Sequence, residues 1–112
     1  MNEGILCNDI HSKLNPTRVA QVIVPQSTEE VASWVRKARA TGHSVSICGA
    51  RHAMGGQQFG EGTLLLDCSH LTDIGQVDCE LGRIEVGAGV KWPALVAALH
   101  AQRPRAGTVW SI

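Results

Sequence analysis

The chain has no surplus of charge. Its ten lysines and arginines are matched by ten aspartates and glutamates, and the basic residues never gather into a run. Aromatics are scarce as well: no tyrosine, one phenylalanine and three tryptophans. Nucleic-acid surfaces are built from clustered cations and stacking rings, so nucleic acid is not expected as the main partner. No uninterrupted apolar run extends beyond a few residues, far short of the ~20 that a membrane-crossing helix needs. The first ten residues have acidic and polar residues where a secretion signal would have a basic start and an apolar block. Asn15-Pro16-Thr17 is no glycosylation acceptor, because proline occupies its middle position.

The spacings used by disulfide frameworks and metal sites are missing too. Cys7, Cys48, Cys68 and Cys79 include no Cys-x-x-Cys pair, and Cys48 and Cys68 sit in apolar runs where a free thiol behaves as a small hydrophobe. A reduced, cytoplasmic protein is the expectation. His11, His43, His52, His70 and His100 contain no His-x-x-x-His, so no metal is expected. Cys68-Ser69-His70 could pair a nucleophile with a base. Adjacent strand positions point to opposite faces, however, and no oxyanion loop accompanies them.

What is present is ordinary core material. Apolar residues make up 44% and charged residues 18% of 112, enough for one modest domain. Residues 1–18 have weak periodicity and read as a segment packing onto the body through Ile10 and Leu14. Residues 19–24 are β-branched, end at Pro25 and read as a strand. Ser27-Thr28-Glu29-Glu30 is a capping box, with Glu30 reaching back to the Ser27 N–H. Val31, Trp34, Val35 and Ala38 then fall on one helical face, and Gly42 stops the helix. Residues 45–48 are a short buried strand. Residues 63–67 are an apolar run ending in a carboxylate, which suits a strand covered on both faces. A strand before residues 79–82, which form a turn, and residues 83–86 after it read as a hairpin. Pro93 opens a last helix with Leu95, Val96 and Leu99 as its apolar face, and Arg103-Pro104 ends it. Residues 107–112 read as a loop entering something apolar. The class is α+β, an α/β sandwich ordered β-α-β-β-hairpin-α.

The most distinctive stretch runs from 48 to 58: Cys48-Gly49-Ala50-Arg51-His52-Ala53-Met54-Gly55-Gly56-Gln57-Gln58. Glycines let the backbone turn sharply and approach a ligand closely, and the N–H groups of such a turn form a concavity suited to phosphate. A plain polar loop between strands is the competing reading. The stretch is no Walker loop, since no Gly-Lys-Ser/Thr follows. Gly87-x-Gly89 lacks the third glycine of a dinucleotide fingerprint. A hairpin end and a helix start explain it without a ligand.

The loop, the segment Leu64-Leu65-Leu66-Asp67 and the segment Ile84-Glu85-Val86-Gly87-Ala88-Gly89-Val90 follow one another in a specific order. From about residue 19 to 102 this order resembles the FAD-binding domain of the vanillyl-alcohol oxidase and p-cresol methylhydroxylase (PCMH-type) flavoproteins. The family loop is of the type Gly-x-Gly/Arg-His-Ser-x-x-Gly-Gln. The resemblance implies that Gly49, Ala50, Arg51, His52 and Ala53 cradle the FAD pyrophosphate with backbone N–H groups, and that Gly56 and Gln57 continue the contact. It makes His52 the candidate for covalent attachment to the flavin 8α-methyl. Arg51 stands where many relatives have glycine, and Ala53 replaces a serine hydroxyl.

By the same resemblance, residues 19–112 are expected to be the N-terminal part of an FAD-binding domain. The rest of that domain, the substrate domain and the catalytic residues would lie elsewhere. The implied chemistry is an FAD-dependent oxidase or dehydrogenase acting on a small-molecule substrate at a carbon bearing oxygen or nitrogen, the 112 residues alone being inactive. The alternative is a non-catalytic α/β module for assembly, which would self-associate through exposed apolar surface.

Overall fold

The structure is a computed structural model that describes residues 4–53, 55–104, 107 and 109–111. It divides into two compact units, with the boundary between Leu71 and Thr72. The α+β class is what it shows.

In the first unit, a three-stranded parallel sheet runs in the order β3-β5-β4. Its strands are β3 (Gln21–Ile23), β5 (Leu64–Asp67) and β4 (Val45–Cys48). Helix α1 (Thr28–Thr41) connects β3 to β4. Strand β5 arrives last and takes the middle place, pairing Leu65 with both Val22 and Ser46. Both faces of β5 are covered, by α1 on one side and by Cys7 and Val19 on the other, which explains its unbroken apolar run. Leu64 and Leu66 pack in one cluster with Ile23, Ala38 and Cys68, against Val31 and Trp34 of α1. Leu65 packs in another, with Cys7, Val19 and Cys48. Burying each such side chain is worth about 1.5–3 kcal/mol.

Helix α1 starts where its local chemistry dictates. The Glu30 N–H donates to Ser27 Oγ at 3.1 Å. The Glu30 carboxylate accepts from the Gln26 N–H at 2.7 Å, one residue earlier than the reciprocal bond expected to Ser27. Gly42 closes the helix at φ +73°. Val35 departs from the expected face: it is 45% exposed, because Val31, Trp34 and Ala38 already fill the contact with the sheet.

The N-terminal segment corrects two expectations. Ile10 and Leu14 are exposed; the residues that anchor the segment are Cys7 and Asp9, both buried. Strand β1 (Ile5–Cys7) pairs antiparallel with β2 (Thr17–Val19). The run expected as one strand over 19–24 therefore changes partners at Ala20, Val19 ending β2 and Gln21 beginning β3.

In the second unit the expected hairpin is present as a path rather than a ladder. Only the Ile74–Val86 and Asp78–Arg83 pairs bridge it among the described residues. Between them the Gln102 side chain intrudes. Its Oε1 accepts from the Val77 N–H at 2.7 Å and its Nε2 donates to the Gly75 carbonyl at 3.0 Å. The turn at 79–82 closes with Gly82 at φ +63°. Helix α2 (Trp92–Ala101) has proline in its first turn. Leu99 is its buried residue, whereas Val96, expected on the same face, is exposed. Of residues 107–112, the expected closing loop, 108 and 112 lie outside the described residues. Among the described residues no helix is long and apolar enough to cross a membrane.

Candidate functional site

Ligands of parallel α/β sheets gather at the carboxyl ends of the strands. At that end of this sheet, β4 runs directly into the glycine-rich loop. Gly49, Ala50 and Arg51 are half-buried, His52 and Ala53 are exposed, and Met54 lies outside the described residues. Among the described residues the N–H groups of 49 to 53 find no acceptor. Backbone groups that are not exposed are almost always paired, so the unpaired donors of half-buried Gly49, Ala50 and Arg51 are unusual; those of His52 and Ala53 lie on exposed residues, where water can satisfy them.

Arg51 shapes the turn. It has φ +62°, the left-handed region that bulky residues avoid. This is the position where glycine is common in the resembling family. The guanidinium is not aimed outward: its Nη2 donates to Asp67 Oδ2 at 3.2 Å, tying the end of β4 to the end of β5. Burial would raise the Asp67 pKa, but hydrogen bonds from Ser69 and the Arg51 cation outweigh it and hold the carboxyl below the usual carboxylate range. Asp67 is thus an ionised carboxylate whose charge is paired with the Arg51 guanidinium. Burial, and then the Asp67 charge, push the Cys48 thiol up in spite of the neighbouring Arg51. Cys68 is likewise pushed up by burial and Asp67. These thiols stay protonated, which removes them as nucleophiles. His70 turns instead to the Gln26 side chain, 3.1 Å away.

Further along, Gly56 has φ +72°, and a Cβ there would come within 2.8 Å of Asn15 Cβ. Its N–H donates to the Ala53 carbonyl at 3.1 Å. The exposed Gln57 folds its amide over Gly55, and a side chain at 55 would need that flexible amide to move aside. Gln58 is 8% exposed, and neither its Oε1 nor its Nε2 has a partner among the described residues. A buried amide without partners costs on the order of 1–3 kcal/mol. Sequence reasoning did not place Gln58 in the site. The only available signal was its position next to Gln57, and burial is not visible from there.

The arrangement therefore brings Gly49, Ala50, Arg51, His52 and Ala53 into one turn, with Gly56 and Gln57 following it. Its free donors and close backbone suit a phosphate oxyanion. Among the described residues no three of His, Cys, Asp or Glu converge as a metal site would require. A model of the FAD binding domain family matches residues 19–111, a span that contains the whole loop. No curated protein matches the chain.

Proposed function

The chain belongs to the FAD-binding domain family of PCMH-type flavoproteins and binds FAD, and from that premise we propose that it is the cofactor-holding portion of a flavoprotein oxidase or dehydrogenase. The observation that carries the site assignment is the row of N–H groups from 49 to 53, at the end of β4, that find no acceptor among the described residues. Gly49, Ala50, Arg51, His52 and Ala53 would hold the pyrophosphate by those N–H groups. Gly56 keeps the backbone close, and Gln57 extends the polar wall. When bound, FAD supplies the ring whose N5 takes a hydride from a substrate carbon bearing oxygen or nitrogen, with dioxygen or another acceptor taking the electrons on. The chain's own contribution is to bind and orient. Its four free cysteines suit a reducing, cytoplasmic setting.

His52 is the residue we propose for covalent attachment to the flavin 8α-methyl. It is exposed, and among the described residues its ring nitrogens make no hydrogen bond. The protein reconstituted with FAD is then yellow, and the colour stays with the acid-precipitated protein. In His52→Ala the flavin is released into the supernatant. Release from the parent protein would exclude the tether, and absence of any flavin absorbance after reconstitution would exclude the function.

A second reading has its own observation. Trp92, Val96 and Val109 are 67%, 52% and 76% exposed, an apolar set that a docking module would use. Size-exclusion with a flavin titration separates the two: a monomer that binds FAD supports cofactor holding, and a flavin-free oligomer supports docking.

A further inference from the structure

The stretch that matches the FAD-binding family begins at residue 19, yet its loop is held by residues that come before. The Ile10 N–H donates to the Arg51 carbonyl at 2.9 Å. The His11 ring lies 4.6 Å, centroid to centroid, from the His52 ring, with the planes tilted by 39°. The Asn15 side chain sits against Gly56 so closely that no Cβ fits there. These contacts fall at 51, 52 and 56, along the length of the loop.

The segment that makes them is itself fastened. Asp9 is buried, and its carboxylate accepts from the Ser12 N–H at 2.7 Å, from Ser12 Oγ at 2.9 Å and from Asn15 Nδ2 at 3.0 Å. Asn8 Oδ1 accepts from the N–H groups of Asp9 and Asn15. Residues 8–15 thus form a small hydrogen-bonded knot whose outer members reach the loop.

We infer that residues 8–15 are a positioning clamp for the FAD loop, with His11 setting the orientation of the His52 ring. The inference rests on the reading that residues 49–57 hold FAD. The peptide unit joining 51 to 52 is planar and trans, so fixing the Arg51 carbonyl toward Ile10 turns the His52 N–H away from the clamp. Among the described residues the N–H groups of 49 to 53 join no ladder, and ordering such a loop only on binding would weaken affinity. The clamp orders it beforehand.

The test uses the 112-residue chain and two variants, His11→Ala and His11→Phe. His11 is exposed, so neither change opens a core. The readouts are the His52 ring-proton shifts by NMR, amide exchange at 49–53, and FAD affinity from quenching of flavin fluorescence. His11→Ala should remove the ring-current displacement of the His52 signals and weaken FAD binding about two- to tenfold. His11→Phe, which keeps a ring, should restore both. Unchanged His52 signals in His11→Ala, unchanged affinity, or a phenylalanine that behaves like alanine overturns the clamp. A parent chain that binds no FAD overturns the cofactor reading instead. The clamp is then judged on exchange: faster exchange at 49–53 in His11→Ala supports it, and equal exchange overturns it.

Discussion

Position 51 carries a large side chain on backbone that favours glycine. At φ +62° an L-residue bears about 1–2 kcal/mol of strain, and the pair with Asp67 offsets part of it. Substitution separates the two effects. Arg51→Ala keeps the strain and loses the ion pair, whereas Arg51→Gly loses both. In urea unfolding, Arg51→Gly should be more stable than Arg51→Ala by about 0.5–1 kcal/mol, after allowing for glycine's freedom in the unfolded chain. An alanine variant at least as stable as the glycine variant would show that the turn is unstrained. The carboxylates make a second prediction. Burial tends to raise Asp9 and Asp67. Hydrogen bonds from Asn15 and Ser12 to Asp9, and from Ser69 and Arg51 to Asp67, outweigh burial and leave both below the ordinary range. Each therefore holds its proton less readily when folded than when unfolded. The stability they confer is complete above about pH 5 and is lost progressively as pH falls through about 4 toward the folded values. The urea midpoint should be flat from pH 7 to 5 and decline toward pH 3. Asp9→Asn should make that decline shallower.

Among the elements, those governed by local chemistry were legible in the sequence. Ser27, Glu30 and Gly42 mark α1 because capping acts within one helical turn. The unbroken apolar run of β5 announces a strand covered on both faces. The glycine-rich loop could be read because glycine, phosphate and backbone donors are linked by simple geometry. What could not be read depends on partners distant in sequence. Nothing near residue 77 tells of Gln102, 25 residues later, filling a gap in the hairpin. Nothing near His52 foretells His11. Cys7 and Asp9 displaced the expected anchors Ile10 and Leu14 because the packing of β1 against β2 sets which residues turn inward, and three-residue strands leave no periodicity to detect. Gln102→Ala would test the most unexpected of these contacts. It leaves the Val77 N–H and the Gly75 carbonyl without their partner, so it should cost about 1–3 kcal/mol in urea unfolding. A cost near zero would mean that water replaces the amide.

At the scale of the whole molecule, thiol chemistry reports on the packing of the first unit, which holds three of the four cysteines. Cys7, Cys48 and Cys68 are buried and Cys79 is exposed. A thiol reagent added to the native protein should consume one equivalent quickly and the other three only on unfolding. Four fast thiols would contradict the cores described. The order of the parallel sheet has a further consequence, for the chain as it is made. Strands β3 and β4 flank β5 and never touch each other's backbone, yet both leave the ribosome before it. The nascent chain therefore carries α1 and two unpaired strands with no sheet to join, and their edges are open to any passing backbone. Four residues, Leu64-Leu65-Leu66-Asp67, close both gaps at once when they emerge. Until then a chaperone has an unfinished sheet to shield, and afterwards there is no edge left between the two strands for it to recognise.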